Sequence, residues 1–319
     1  MMAAPMAEVQ RGGTMELRIV VLGQGAWGST LATRFASQGH QVSSWSRRQG
    51  GSPLSQLEGA ELIVVAIAMA GIADLAEQLR GGCPAEVCLM SCTKGLDLQQ
   101  LCTPSQIWSQ VIPSERLVVL SGPNLATELD RGLPAASVLA SPNVALASDL
   151  QRALSDDVLR LYTNADPIGT EVAGALKNVM AVAAGVCDGL GLGANAKASL
   201  LCRGLKEMGV VLAGLGGQGA TLYGLAGLGD LLATANSTLS RNYRFGLLLA
   251  EGLNAPAARD RIGATVEGPA TAEAVLSLAN RHGWSLPICE QVVALVNASV
   301  SPISCVRSLM GRNLTEEQR

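Results

Sequence analysis

Histidine is nearly absent from this chain, with two among 319 residues, His40 and His282. The commonest general base is therefore missing from most of the sequence, and proton transfer has to fall to Lys, Asp, Glu or Tyr. Aromatic residues are scarce as well, with two Phe and three Tyr against 36 Gly. That balance favours close helix packing on small residues. The formal net charge is only −3, so nothing points to nucleic acid or an anionic membrane as a partner. Eight cysteines are scattered without a C-x-x-C pair, and Cys88 and Cys92 fall on an expected strand with no histidine nearby. Buried free thiols in a reducing cytoplasm, and no metal, are expected. No apolar run approaches the ~18–20 residues of a membrane span; the longest lies near Leu62–Ala70. Residues 1–14 lack the basic start and apolar stretch of a secretory signal and read as a disordered tail, with Met15 a candidate start.

What is present begins with LRIVVLGQGAWGSTLATRFASQGHQVSSWSRR, residues 17–48. A strand from Leu17 to Leu22 runs into Gly23, Gly25 and Gly28, the G-x-G-x-x-G spacing, at the point where a helix begins. In that context the first glycine allows a tight turn, the second lets a pyrophosphate approach the backbone, and the third seats the helix on the strand. The helix N–H groups and dipole then face the phosphates. Leu31, Ala32, Phe35 and Ala36 give an apolar stripe, Gly39 stops the helix, and Gln41–Trp45 reads as a second strand. An NAD-preferring site places an acid about 20 residues after the fingerprint, whereas a 2′-phosphate needs cations there. Here stand Ser46, Arg47 and Arg48. NADPH is expected to be preferred, with NADH accepted.

The next segment, QGGSPLSQLEG, has room for little more than a short helix. Strands follow at Glu61–Ala68, Val87–Ser91, Leu117–Leu120, Pro134–Ala140 and Val158–Tyr162, with a helical stripe at Ile72–Leu79. The alternation predicts an α/β class: an N-terminal Rossmann doubly wound parallel sheet over 15–166. Lys94 and the turn Ser121–Gly122–Pro123–Asn124 come at the carboxyl ends of strands, the edge where such sheets bind ligands. From 167 to 319 no strand is evident, and an all-α C-terminal domain is expected. Helices are read at Thr170–Gly185, Asn195–Leu212, after Asp230, from an N-cap at Ser240, and at Pro269–Arg281 and Ile288–Val296. In the first of them Gly174, Asn178, Ala181 and Gly185 fall at i, i+4, i+7 and i+11, a seam that admits another backbone or a ligand.

Lys177 stands in the middle of that apolar helix, where a charge is costly unless it has a task or snorkels to a surface. As a proton acceptor near neutral pH it would need burial and neighbouring cations, and Lys94 and Arg241 are the available ones. Ser240, Arg241 and Asn242 at a helix start suit a phosphate through N–H groups, dipole and guanidinium. Asp230 is either a plain N-cap or an acceptor that orients Lys177 or a substrate hydroxyl.

Seven segments, GQGAWGSTLA, SCTKGLD, SGPNLATEL, EVAGALKNVMAVAAG, GLAGLGDLLAT, STLSRNYRFG and TVEGPAT, resemble in order the signature stretches of bacterial-type NAD(P)-dependent glycerol-3-phosphate dehydrogenase. They span nearly the whole chain from Leu17. The resemblance implies reversible reduction of dihydroxyacetone phosphate, a small phosphorylated substrate, to sn-glycerol 3-phosphate for glycerophospholipid synthesis. By motif position it makes Lys177 the proton acceptor. It makes Lys94, Gly122, Asn124, Asp230, Ser240, Arg241 and Asn242 substrate neighbours, and Trp27, Arg47, Arg48, Lys94, Ala126, Arg241 and Glu267 cofactor neighbours. Ala26 departs from the family's serine, Asn124 from the frequent serine of its turn, and the Arg48–Glu61 segment is shorter, so the adenosine-side tyrosine has no counterpart. The alternatives are a two-domain reductase of sugar acids or short 2-hydroxy acids, and a cofactor sensor without turnover. The apolar helical domain is compatible with a homodimer.

Overall fold

The computed structural model describes residues 16–314 and 316; the expected tail, residues 1–14, and Met15 lie outside them. Strand β1 (Arg18–Leu22) ends at Gly23, whose φ is +119°. A Cβ there would stand 2.4 Å from the Ala66 carbonyl oxygen. Helix α1 (Ala26–Ser37) follows and buries Leu31 and Phe35. Gly28 permits its approach, because a Cβ at that position would lie 1.9 Å from the Gly23 carbonyl oxygen. Then come β2 (Gln41–Trp45), β3 (Leu62–Val65), α2 (Ile72–Leu79), β4 (Cys88–Ser91), α3 (Pro104–Trp108) and β5 (Leu117–Ser121). The first region closes with α4 (Ala126–Asp130), β6 (Ala135–Ala140), α5 (Val144–Leu154) and β7 (Leu159–Asn164). Between β2 and β3 stand only the 3-10 turns Arg47–Gln49 and Pro53–Gln56.

The seven strands lie in the order β2-β1-β3-β4-β5-β6-β7. α1 and α5 cover one face through Leu31, Phe35, Leu150 and Leu154, and α2 and α3 the other through Ile72, Leu79 and Trp108. The sheet is doubly wound, and β2 through β5 are parallel. The expected uniform parallel sheet needs one correction, since β6 runs antiparallel to β5 and β7 continues beside it in parallel. The β5–β6 connection holds only the five-residue α4, about 7–8 Å of helix at 1.5 Å per residue. That is too short to return along a strand of about 16 Å, so the chain re-enters from the same end.

Among the described residues every element after Asn164 is helical. They are α6 (Pro167–Gly189), α7 (Gly193–Gly214), α8 (Gly219–Leu222), α9 (Asp230–Ala235), α10 (Arg241–Ala250), α11 (Ala255–Ile262), α12 (Gly268–His282), α13 (Pro287–Val296) and α14 (Pro302–Met310). A π-helical turn, Leu225–Gly229, leads into α9. Asp166 caps α6, accepting from the Gly169 N–H at 2.8 Å. α6 is long enough, with a mean hydropathy of 1.2, to match a membrane span by length and composition, but Glu171, Lys177 and Asn178 interrupt its apolar residues and 83% of its apolar window is buried within the fold. It is the helix around which α7, α9, α10, α12 and α13 pack, which is why it is apolar on all sides. Its small-residue seam meets α10. A Cβ at Gly185 would lie 2.1 Å from the Tyr243 carbonyl oxygen, and one at Gly246 would lie 2.1 Å from that of Val182.

Candidate active site

The carboxyl ends of the five parallel strands share one edge of the sheet, and the sequence-selected residues of the first region follow those ends. Arg47 and Arg48 follow β2, the three glycines follow β1, Lys94 follows β4, and Gly122, Asn124 and Ala126 follow β5. The chain reverses direction across the sheet at β1, between β2 and β3, which is the topological switch where such sheets leave room for a ligand. At the first turn of α1, Gly25 is exposed with nothing within 4 Å of where its Cβ would be. No side chain caps that turn and no acid lies in it, so its N–H groups face an open cradle suited to a diphosphate. Trp27, half-buried at the same turn, bonds to Cys92 at the end of β4; burial nevertheless pushes that thiol up to about 12.

The helical region contributes buried charge. Lys177 is 7% exposed, so it does not snorkel. Its Nζ donates to Asp230 Oδ1 at 2.9 Å and to Thr234 Oγ1 at 2.7 Å. Asp230 Oδ2 accepts from Lys94, which also donates to the Gly122 carbonyl at 3.2 Å. One carboxylate therefore holds two ammonium groups, from residues 83 positions apart in sequence. Burial lowers the Lys177 pKa to about 8; Lys94 and Arg241 act in the same direction, while Asp230 opposes them. Burial works against the Asp230 charge, but the two lysines outweigh it and hold the carboxyl below its ordinary range. Of the two roles open to Asp230, the acceptor role is the one seen: Gly229 occupies the N-cap, and the carboxylate turns toward the lysines.

Around this cluster Ser240 caps α10, its Oγ accepting from the Tyr243 N–H at 3.2 Å. Arg241 is exposed at the first position of that helix. Asn242 is buried, donating to Asn178 Oδ1 and accepting from the Gly268 N–H, both at 2.9 Å. Asn124 Oδ1 accepts from Ser137 at 2.8 Å, which ties the β5 turn to β6. Glu267 comes across from the start of α12 to the same edge of the sheet, near Gly95 and bonded to the backbone at Met69. Burial raises its pKa, and Met69 and Arg241 pull it down. Arg47 and Arg48 are not part of the lysine cluster; they follow β2 at the end of the sheet, with β1 and β3 between them and β4. Thr234 escaped the sequence reading, although its position four residues after Asp230 puts the two on one helix face. Both histidines lie elsewhere: His40 is buried between the Leu17 N–H and the Ala153 carbonyl, and His282 stacks on Trp284 at 4.8 Å. All eight cysteines are free, and no cluster of three metal-ligating side chains occurs among the described residues.

Two family models cover most of the chain. The one for the N-terminus of NAD-dependent glycerol-3-phosphate dehydrogenase matches residues 18–58 and 52–147, and the one for its C-terminus matches 166–307. The chain belongs to this family. Glycerol-3-phosphate dehydrogenase (NAD(P)+) of Synechococcus sp. (strain RCC307) is 55% identical over 300 residues, 94% of this chain and 99% of that protein. The Acaryochloris marina enzyme of the same name is 47% identical over 300 residues, 94% and 97% of the two chains. The crystal structure of glycerol-3-phosphate dehydrogenase from Coxiella burnetii superposes with a TM-score of 0.88 at 33% identity, covering 93% of this chain and 99% of that one. Membership of the glycerol-3-phosphate dehydrogenase family makes this chain an NAD(P)-dependent oxidoreductase, and the Lys94–Asp230 ion pair joins the two matched halves beside the buried lysine.

Proposed function

We propose that the chain catalyses the NAD(P)H-dependent reduction of dihydroxyacetone phosphate to sn-glycerol 3-phosphate, with Lys177 as the group that exchanges the proton. The observation that carries this reading is Lys177 itself, buried, bonded to Asp230 and Thr234, with its pKa lowered to about 8. A group so tuned is poised to give and take a proton near neutral pH. The donor set fits a nicotinamide dinucleotide: an open glycine cradle at the uncapped turn of α1, arginines after β2, and Glu267 over the far end. Bound, that cofactor supplies the hydride taken up at the substrate's C2.

In reduction the Lys177 ammonium donates its proton to the oxygen of the C2 carbonyl, and in oxidation the neutral amine removes the proton of the C2 hydroxyl. Asp230 keeps Lys177 oriented and balances its charge, while Lys94 and Arg241 supply positive charge for the substrate phosphate. Asn124, Ser240 and Asn242 complete the substrate's surroundings, and Trp27, Ala126 and Glu267 the cofactor's. Arg47 and Arg48, with no acid at the end of β2, support NADPH over NADH. A division into a dinucleotide-binding domain, 15–166, and a catalytic domain, 167–319, a place in cytoplasmic glycerophospholipid synthesis and a homodimer belong to the same reading.

The test is NADPH oxidation with dihydroxyacetone phosphate, together with the pH profile of the reverse reaction. Turnover is expected, and glycerol 3-phosphate oxidation should rise with pH to a plateau through an apparent pKa near 8, as Lys177 loses its proton. NADPH binding without turnover would overturn the reaction, and a profile flat between pH 6 and about 9 would overturn the role of Lys177.

A further inference from the structure

Arg47 and Arg48 are both exposed and share a single 3-10 turn, Arg47–Gln49. An exposed arginine has about 2 kcal/mol of rotamer entropy to lose, and a mobile loop would add more, so two arginines on a loose loop would select a phosphate poorly. This turn is tied at both ends. Gly23 N–H donates to the Trp45 carbonyl at 2.8 Å, and Trp45 Nε1 donates to the Gly50 carbonyl at 3.1 Å. Ser46 N–H donates to Gln49 Oε1 at 3.0 Å, and Gln49 N–H donates to the Ser46 carbonyl at 2.9 Å.

A further tie comes from inside the glycine fingerprint. Gln24 Nε2 donates to Ser44 Oγ at 2.9 Å, and Gln24 Oε1 accepts from Ser46 Oγ at 3.3 Å. One carboxamide thus joins the β1–α1 turn to the end of β2. Gln24 is exposed and lines a hollow of about 310 Å³ with Gly28, Ser29, Ala32, Thr33 and Ser44. Hydrogen bonds rather than close packing therefore set the direction of its carboxamide.

We propose that Gln24 and Gln49 are positioning residues for cofactor selection, holding the Ser46–Gly50 turn so that Arg47 and Arg48 meet the 2′-phosphate of NADPH already ordered. This rests on the reading that the two arginines take that phosphate. The side-chain ties do for the short Arg48–Glu61 connection what a longer packed segment would do: they remove conformational freedom before binding, which appears as affinity.

The experiment is calorimetric binding of 2′,5′-ADP and of 5′-AMP to the full chain, the two probes differing only in the 2′-phosphate. It compares the native protein with Gln24→Met, Gln49→Met and the double variant Arg47→Ser/Arg48→Ser. Each glutamine variant is expected to weaken 2′,5′-ADP by about three- to tenfold, the ordering of one or two side chains, and to leave 5′-AMP unchanged. Equal weakening of both probes, or of neither, by the glutamine variants overturns the proposal. If the native protein binds the two probes equally, the 2′-phosphate reading falls and the proposal with it. If the arginine variant abolishes the preference while both glutamine variants keep it, only the positioning role falls.

Discussion

At the β1–α1 turn the site is built of backbone, with Gly25 open at the uncapped turn, Gly23 and Gly28 allowing the close approach of strand and helix, and the nearby charges, Arg47 and Arg48, standing in water. Around α6 it is built of buried side-chain charge, with Lys177 and Asp230 at 7% and 1% exposure. In the proposed function the difference follows from what each part handles. A diphosphate brings its own charge and needs only donors and room, so a backbone cradle suffices. A proton must be held by a group whose affinity for it has been shifted, and burial is the strongest way to shift it. The sheet half is therefore expected to govern cofactor affinity, and the helical half turnover and pH dependence.

The contrast breaks or holds first at Lys177. Lys177→Ala should lower turnover by roughly 10²- to 10⁴-fold while NADPH binding, followed by fluorescence titration, persists; Arg47→Ser/Arg48→Ser should do the opposite, raising the NADPH KM with turnover kept. Asp230→Asn comes next. It leaves two ammonium groups facing each other without their carboxylate, so denaturant unfolding should show a loss of about 3–5 kcal/mol. The oxidation profile should also move to lower pH, since Asp230 is what holds the Lys177 pKa up. Gly185→Ala forces α6 and α10 apart at their closest approach, at a cost of about 1–3 kcal/mol; a melting temperature unchanged from native would refute the account of the seam.

The smallest effect concerns Glu171. Its Oε1 accepts from the Ser105 N–H at 2.9 Å and its Oε2 from the Ser105 hydroxyl at 2.5 Å, joining α6 to α3. Burial outweighs these bonds and raises its pKa from 4.5 to about 7. The folded state thus keeps the proton to higher pH than the unfolded chain. The stability this confers is complete below pH 4.5 and is lost as pH rises through about 7. Between pH 5 and 8 the native protein should lose more stability than Glu171→Gln, by a difference on the order of 1 kcal/mol; parallel curves would contradict it.

Legibility in the sequence tracked locality. β2 and α2 have the bounds that their patterns predict, Gln41–Trp45 and Ile72–Leu79, because alternation and helical stripes are properties of neighbouring residues. The glycine turn was readable for the same reason. The antiparallel β6 was not, because its direction depends on how little helix α4 provides. The short α8 and the π-helical turn also went unread, being too short to display a period, and so did α5, α11 and α14. Of the candidate site, Lys177 stood out as a charge in an apolar helix, and its cationic neighbours Lys94 and Arg241 were named. Thr234 shares a helix face with Asp230 by spacing, but its bond to Lys177, like the choice between roles for Asp230, depends on how α9 packs against α6 and was beyond reach.

The sequence by itself determined most of the strands and the longer helices, that a dinucleotide fingerprint follows the first strand, and that Lys177 is a charge set in an apolar helix. Burial periodicity and glycine spacing are encoded residue by residue, so no partner is needed to read them. Only the tertiary structure decided that Asp230 would hold Lys94 and Lys177 together, 136 and 53 residues away. It also decided that Gln24 would tie the end of β2 and that Glu171 would grip α3. Each of these depends on where a side chain from one element ends relative to the backbone of another, and the packing of sheet against helices sets that distance.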